Sequence, residues 1–210
     1  MVRILIVDDH AIVRRGLKEI LADDLGEVWC GEAADADNAY RQIASQLWDV
    51  IILDINLPTH SGLDVLHHIR HQSQPPPVLV LSMYPEDQYA MRALKAGASG
   101  YLTKESATDE LSAAVRKVLH GGRYVSETMA EQLALQVGTE GVRALHEQLS
   151  DREYDVMRRL ASGQTVSEIA RELDLSVKTV STYRTRTLEK LHLRNNAELM
   201  SYALRRELVL

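Results

Sequence analysis

Val50-Ile51-Ile52-Leu53-Asp54 is a run of four apolar residues closed at once by an acid. The run is short for a helix and apolar at every position, which suits a strand buried on both faces. The pattern recurs on either side of it. Ile4 to Val7 leads into Asp8-Asp9, Val28 to Gly31 follows, Val78 to Leu81 leads into Ser82, and Gly100 to Leu102 stops just before Lys104. Segments of helical period separate the runs. They are Ala11 to Leu21, Ala36 to Leu47, Gly62 to His71, Glu86 to Ala96 and Asp109 to His120. The first carries Ile12, Val13, Leu17, Ile20 and Leu21 on its predicted apolar side. Five βα units predict an α/β fold over residues 1–120, a five-stranded parallel sheet with helices on both faces. Functional residues in such sheets lie beyond the carboxyl ends of the strands. Asp8, Asp9, Asp54, Ser82 and Lys104 all fall there.

Composition bounds the rest. The chain has 210 residues and a net charge of −6. Phe is absent, so the cores must be mostly aliphatic. The first apolar run is too short for a secretory leader, and no stretch approaches the ~20 apolar residues of a membrane helix. A single cysteine, Cys30, forms no intrachain disulfide and reads as a small buried hydrophobe. These features predict a cytoplasmic protein without a membrane partner. Residues 1–120 hold 17 acids against 11 Lys and Arg, whereas residues 150–210 hold 9 against 11. The shift predicts two domains with different partners. Gly121-Gly122 ends the fifth helix, and residues 121–145 read as a linker with a helix from Glu127 to Val137 and flexible backbone at Gly138 and Gly141. From 146 to 210 the signals are helical only. Ser150 with Glu153 and Thr165 with Glu168 make capping boxes, Gly163 is a helix stop, Ser176 caps a third helix running to about Leu191, and Asn195 with Glu198 opens a fourth through Arg206. A small all-α, four-helix domain is expected.

Asp8, Asp9 and Asp54 would converge at one sheet edge. Clustered carboxylates repel at neutral pH and call for a cation. An all-oxygen site with room for water and a phosphoryl group suits Mg²⁺. A carboxylate is already ionised and is a nucleophile without a general base. Asp54, at the end of a central strand, is the natural one, with Lys104 and Ser82 as donors for phosphoryl oxygens.

These residues resemble a known family. Val7-Asp8-Asp9-His10, then Leu53-Asp54-Ile55-Asn56-Leu57-Pro58 followed by Gly62, then Leu81-Ser82, then Ala96-Gly97-Ala98-Ser99-Gly100-Tyr101-Leu102-Thr103-Lys104 look like the receiver domain of two-component response regulators. The resemblance implies a flavodoxin-like sheet and a sensor histidine kinase that donates a phosphoryl group to Asp54. It implies Mg²⁺ on Asp9 and Asp54 directly, on Asp8 through water, and on the backbone carbonyl of Asn56. It makes Ser82 and Tyr101 a switch pair that reshapes the fourth-helix face. Asn56 and Tyr84 would tune slow self-dephosphorylation. Where many receivers have Pro after the lysine, this chain has Glu105.

Thr165 to Val180 reads as helix, tight turn, helix. At 100° per residue, Val180, Thr187, Leu188 and Leu191 gather on one side of the second helix. Lys178, Thr182, Thr185 and Arg186 point the other way, with Ser181 flanking. Ser176 to Arg194 holds five cations against the single acid Glu189. Such a stripe suits a major groove, cations to phosphates and Thr or Ser to base edges. Leu149 to Val156, Ser167-Glu168-Ile169-Ala170, and Lys178-Thr179-Val180-Ser181-Thr182-Tyr183-Arg184 with Leu188-Glu189-Lys190-Leu191 resemble the LuxR-type DNA-binding domain. Together the two resemblances point to the NarL/FixJ class. They imply a recognition helix with Lys178, Thr179, Ser181, Thr182, Arg184, Thr185 and Arg186 at double-stranded promoter DNA. They also imply a homodimer formed on phosphorylation through the last helix, and RNA polymerase as a further partner.

Two rival readings differ at nameable points. An aspartate-nucleophile phosphatase of the haloacid dehalogenase type usually has a second Asp where this chain has Asn56. A regulator indifferent to phosphorylation would not need the intact acid site. His60, His67, His68 and His71 suggest metal only by spacing and read as a solvated helix face; Trp29 and Trp48 read as packing residues.

Overall fold

β1 (Val2–Val7), β2 (Val28–Ala33), β3 (Val50–Asp54), β4 (Val78–Ser82) and β5 (Gly100–Thr103) are joined by five helices. These are α1 (Ala11–Leu25), α2 (Ala36–Ser45), α3 (Gly62–Arg70), α4 (Glu86–Lys95) and α5 (Ala107–Leu119). The computed structural model describes residues 1–58, 61–131, 145–206 and 208–209. The chain divides into two units, Met1–Thr139 and Glu140–Leu210. Among the described residues no helix is long and apolar enough to cross a membrane.

All five strands of the first unit run parallel, in the order β2-β1-β3-β4-β5. This is the flavodoxin-like order, and the strand sequence reverses between β1 and β3. β3 and β4 are buried along their whole length, which requires helices on both faces. On one face Ile4, Ile6, Ile52, Leu79 and Leu81 pack with Leu17 and Leu21 of α1 and Leu111 and Val115 of α5. The register sets the site. Val7 pairs with Leu53, so Asp8 and Asp54 emerge side by side from neighbouring strands. Asp54 pairs with Leu81 and Ser82 with Thr103, which places Ser82 and Lys104 along the same edge.

Several local expectations change. α1 runs to Leu25, and Ile12 is 88 % exposed. At 100° per residue Ile12 lies about 140° from Leu17, so one helix cannot bury both against one sheet. α2 stops at Ser45, and Leu47 is exposed. Trp48 turns inward there and donates its Nε1–H to the Gln42 carbonyl at 3.0 Å, satisfying an orphan acceptor of the helix end. Trp29 stacks on Trp48, with ring centroids 5.2 Å apart, but is itself 40 % exposed. Cys30 is half-buried, because β2 is an edge strand. α5 starts at Ala107, two residues earlier than its periodicity suggests.

The segment after α5 folds back on the sheet. Tyr124 accepts from the Tyr101 N–H at 3.2 Å and donates to the Ser99 carbonyl at 2.9 Å. Ser126 then bonds to Glu86 of α4. Residues 127–131 are helical. The rest of the expected Glu127–Val137 helix, with Gly138 and Gly141, lies outside the described residues, as does His60.

The second unit holds a short 3₁₀ turn (Leu145–Gln148) and helices α6 (Asp151–Ala161), α7 (Val166–Glu172), α8 (Val177–Lys190) and α9 (Asn196–Arg205). Ser150, Thr165, Ser176 and Asn195 each accept the N–H three residues on, and the first two close full capping boxes. The four caps start helices as the sequence indicates. Gly163 takes a φ of 90° after α6, and Asp174 a φ of 51° in the turn between α7 and α8. Val156, Met157, Ile169, Val180, Leu199 and Ala203 form the core. Thr187 is wholly buried, its hydroxyl donating to the Glu153 carbonyl at 3.2 Å. Burial alone would raise the Glu153 carboxyl, but Lys190 and the Ser150 N–H hold it below the ordinary carboxylate value.

Gly62 is needed where it stands, because a Cβ there would lie 2.0 Å from the Asp54 carbonyl oxygen. Gly62→Ala should therefore cost about 1–3 kcal/mol, read by urea unfolding followed on Trp29 and Trp48. Wild-type stability in that variant would refute the close approach. The lowered Glu153 value means its stabilisation is present at neutral pH. It is lost as pH falls below the ordinary carboxylate range through the folded value. Glu153→Gln should destabilise the C-terminal calorimetric transition by about 1–2 kcal/mol at pH 7, with the gap closing on acidification. A gap independent of pH would contradict the assignment.

Candidate functional site

Asp8 and Asp54 are both 1 % exposed at the β1 and β3 ends. Two buried carboxylates side by side need a counter-charge. Lys104 supplies it. Its Nζ lies 2.7 Å from Asp8 Oδ2 and 2.7 Å from Asp54 Oδ2. Glu105, in the place where many receivers have Pro, is exposed and leaves this reach intact. Lys104 N–H also donates to the Ser82 carbonyl at 2.7 Å, pinning the β5 end to β4. Burial pushes the Asp54 carboxyl up to about 6, against the pull of the Lys104 ammonium, and Asp8 adds to the rise. Burial would lower Lys104, but the two carboxylates hold it above its ordinary value.

The remaining atoms are held by the loops. Asp54 Oδ1 accepts the Asn56 N–H at 2.9 Å, and Asp8 Oδ1 accepts the His10 N–H at 2.8 Å. Asp9 is exposed beside them. Ligand atoms of Asp8, Asp9, His10 and Asp54 lie within 4.8 Å of one another. The three carboxylates make a hard, mostly oxygen donor set of the kind that suits Mg²⁺. Ser82 is fully buried, and its Oγ accepts the Tyr84 N–H at 3.1 Å. Tyr101 is 1 % exposed and donates its hydroxyl to the Tyr84 carbonyl at 2.9 Å. Burial holds its phenol above the ordinary value, against a hydrogen bond with Ser82. The structure thus brings all the predicted acidic-site residues to one edge.

Sequence reasoning missed the supports. Arg14 donates Nη1 to the Asp8 carbonyl at 2.7 Å and Nε to Glu32 Oε2 at 2.8 Å. Glu32 reaches this place because Ile6 pairs with Glu32 across β1 and β2. No periodicity announces that pairing. His67 and His71 are exposed, and His71 Nδ1 lies 2.7 Å from the His67 carbonyl oxygen. No metal group among the described residues includes them.

In the second unit, Lys178, Ser181, Thr182, Thr185 and Arg186 are exposed on α8. Thr182 and Thr185 donate their hydroxyls to the Lys178 and Ser181 carbonyls, at 2.9 and 3.1 Å. Thr179 and Arg184 are only half-exposed. Thr179 Oγ1 shares a hydrogen bond with Ser176, and Arg184 Nε donates to Asn196 Oδ1 at 2.6 Å.

Comparison with known proteins agrees with this geometry. Residues 4–116 match the response regulator receiver domain, and residues 147–203 match the bacterial regulatory proteins of the luxR family. The chain is 35 % identical to the response regulator UvrY of Escherichia coli K12, over 98 % of this chain and 94 % of that protein. It is 34 % identical to the response regulator GacA of Pseudomonas aeruginosa, over 100 % and 98 %. The structure of RcsB from Salmonella enterica serovar Typhimurium, bound to a promoter in the presence of the phosphomimetic BeF3−, aligns with a TM-score of 0.59 and 25 % identity, over 96 % of this chain and 97 % of that one. With both modules matched in order along one chain, this protein belongs to the two-component response regulators of the NarL/FixJ class, DNA-binding transcription regulators built from a receiver domain and a LuxR-type helix-turn-helix.

Proposed function

We propose that Asp54 accepts a phosphoryl group from the phosphohistidine of a sensor histidine kinase and that this controls promoter binding through α8. The observation that carries the reading is the Lys104 ammonium held between the two buried carboxylates. An Asp54 oxygen attacks phosphorus, the phosphorus–nitrogen bond breaks, and the imidazole leaves with the electron pair. Lys104 and Ser82 then donate to the phosphoryl oxygens. Asp9 and Asp54, with Asp8 and the Asn56 carbonyl, would hold Mg²⁺. Bound there, the ion supplies positive charge against the carboxylates and the phosphoryl oxygens. Ser82 and Tyr101 share the Tyr84 backbone, so a Ser82 hydroxyl drawn to the phosphoryl group disturbs Tyr101 and the loop entering α4. Asn56 and Tyr84, two residues beyond Asp54 and Ser82, set how fast water removes the group; this slow self-dephosphorylation is the only turnover assigned.

The domain limits in this reading are a receiver over 1–120, a linker over 121–145 that starts anchored at Tyr124, and a DNA-binding domain over 146–210. On DNA, Lys178 and Arg186 meet phosphates. Because Thr182 and Thr185 spend their protons on backbone carbonyls, each offers a base edge an acceptor oxygen or a methyl group. Arg184 and Thr179 are tied to Asn196 and Ser176 and shape the helix as well as contacting DNA, and Ser181 flanks the reading face. Met200 and Leu204 lie one turn apart on α9, 38 % and 50 % exposed, and form the apolar stripe for a phosphorylation-favoured homodimer. The structure of RcsB bound to a promoter in the presence of the phosphomimetic BeF3− supports a link between receiver and DNA binding. Kinase, promoter and RNA polymerase as partners place the work in the cytoplasm.

Incubation with radiolabelled acetyl phosphate and Mg²⁺ should label the wild type and leave Asp54→Ala unlabelled, and EDTA should abolish labelling. Label on Asp54→Ala would overturn the site. On DNA, Lys178→Ala should weaken binding to all sequences alike and reduce the salt slope by about 1. Thr182→Ala and Thr185→Ala should instead change which bases are preferred in a randomised-site selection. A uniform loss in all three variants would contradict the groove assignment.

A further inference from the structure

The Asp8 carbonyl belongs to the peptide that joins Asp8 to Asp9. Its orientation sets the direction in which Asp9 leaves β1. Each other part of Asp8 has its own anchor. The N–H donates to the Ala33 carbonyl at 3.1 Å, Oδ1 takes the His10 N–H, and Oδ2 forms an ion pair with the Lys104 ammonium. The carbonyl is held by Arg14 Nη1 at 2.7 Å. α1 brings Arg14 to this point one turn after His10, whose carbonyl accepts the Arg14 N–H at 3.1 Å. The Arg14 side chain is only 14 % exposed, and its Nε is fixed by Glu32 Oε2 at 2.8 Å. Lys18 is a second cation on the same carboxylate, and both cations hold the Glu32 carboxyl below its ordinary value. One planar fork therefore ties the β1 end and the first turn of α1 to the edge strand β2. Asp9 has much less support of its own. Its carboxylate meets the His10 ring at 2.7 Å, and that ring is 64 % exposed.

We propose that Arg14 is a positioning residue for the acidic site: it locks the Asp8–Asp9 peptide plane so that Asp9 stays with Asp8 and Asp54, and Glu32 locks Arg14. The proposal rests on the reading of these three acids as the Mg²⁺ site. A supporting group of this kind usually changes metal affinity about ten- to a hundredfold without touching the metal.

The test is titration calorimetry of the full-length protein with MgCl₂, beside metal-free thermal melting. Variants are Arg14→Ala, Arg14→Lys, Glu32→Ala and the double Arg14→Ala/Glu32→Ala. Arg14→Ala should melt as a folded protein and bind Mg²⁺ about ten- to a hundredfold more weakly. Glu32→Ala should lose less, and nothing further in the double variant. Arg14→Lys, which restores a cation but not the fork, should recover part of the affinity. In labelling with acetyl phosphate, Arg14→Ala should need more Mg²⁺ yet reach the wild-type maximum. Wild-type Mg²⁺ affinity in a folded Arg14→Ala would overturn the proposal. If Arg14→Ala does not fold, Glu32→Ala decides, and unchanged affinity there overturns it as well. Failure of the unsubstituted protein to bind Mg²⁺ would instead remove the metal reading and the proposal together, and is distinguished by appearing without any substitution.

Discussion

The Lys104 ammonium between Asp8 and Asp54 is the constraint around which the N-terminal unit is arranged. Two carboxylates with almost no solvent access repel each other and lose hydration on burial. One cation at 2.7 Å from both makes that burial tolerable. The sheet order puts the two acids on adjacent strands, and Lys104 reaches back to them from beyond the β5 end. Charge is only partly balanced: one ammonium faces two buried acids, with Asp9 alongside. Burial first, with the Asp8 charge adding to it, pushes the Asp54 carboxyl up to about 6 against the pull of Lys104. The uncompensated negative charge of such a cluster favours an additional cation.

Around that ion pair, the backbone supplies the accuracy. Asn56 and His10 N–H groups fix one oxygen of each buried acid, and Gly62 lets α3 begin against the Asp54 carbonyl. Ser82 and Tyr101 meet through the backbone of Tyr84, the loop that enters α4. Ser126, from the segment after α5, bonds to Glu86 at the start of the same helix. A change of hydrogen bonding at Ser82 is therefore only a few bonds from the segment that leaves the receiver.

The C-terminal unit depends on different physics. Its helices are short, and short helices need tertiary packing and caps to persist. Four side-chain caps start them, and Glu153 adds an ion pair with Lys190 that joins the start of α6 to the end of α8. Thr187 reinforces the same junction from inside. α8 is thus anchored on its inner face while Lys178, Thr182, Thr185 and Arg186 stay exposed on its outer one. The proposed role of α8 as the reading helix would need that combination, since base contacts tolerate little backbone play.

Much of this was legible in the residues themselves. Strand runs, helix caps and strand-end acids depend on local chemistry, so β3, the capping pairs and the order of Asp8, Asp54, Ser82 and Lys104 could be read directly. Angular and lateral facts could not. Ile12 faces solvent because of where one sheet lies relative to α1, and Trp29 remains half-open because β2 is an edge. Arg14 and Glu32 meet only through the β1–β2 register, which no spacing along the chain encodes. By itself, then, the amino-acid sequence determined the element types and the chemistry available at the sheet edge, because both arise from neighbouring residues. The tertiary structure alone decided which groups share a charge, which peptide plane is locked and which side of each helix meets water, because these depend on residues brought together from distant parts of the chain.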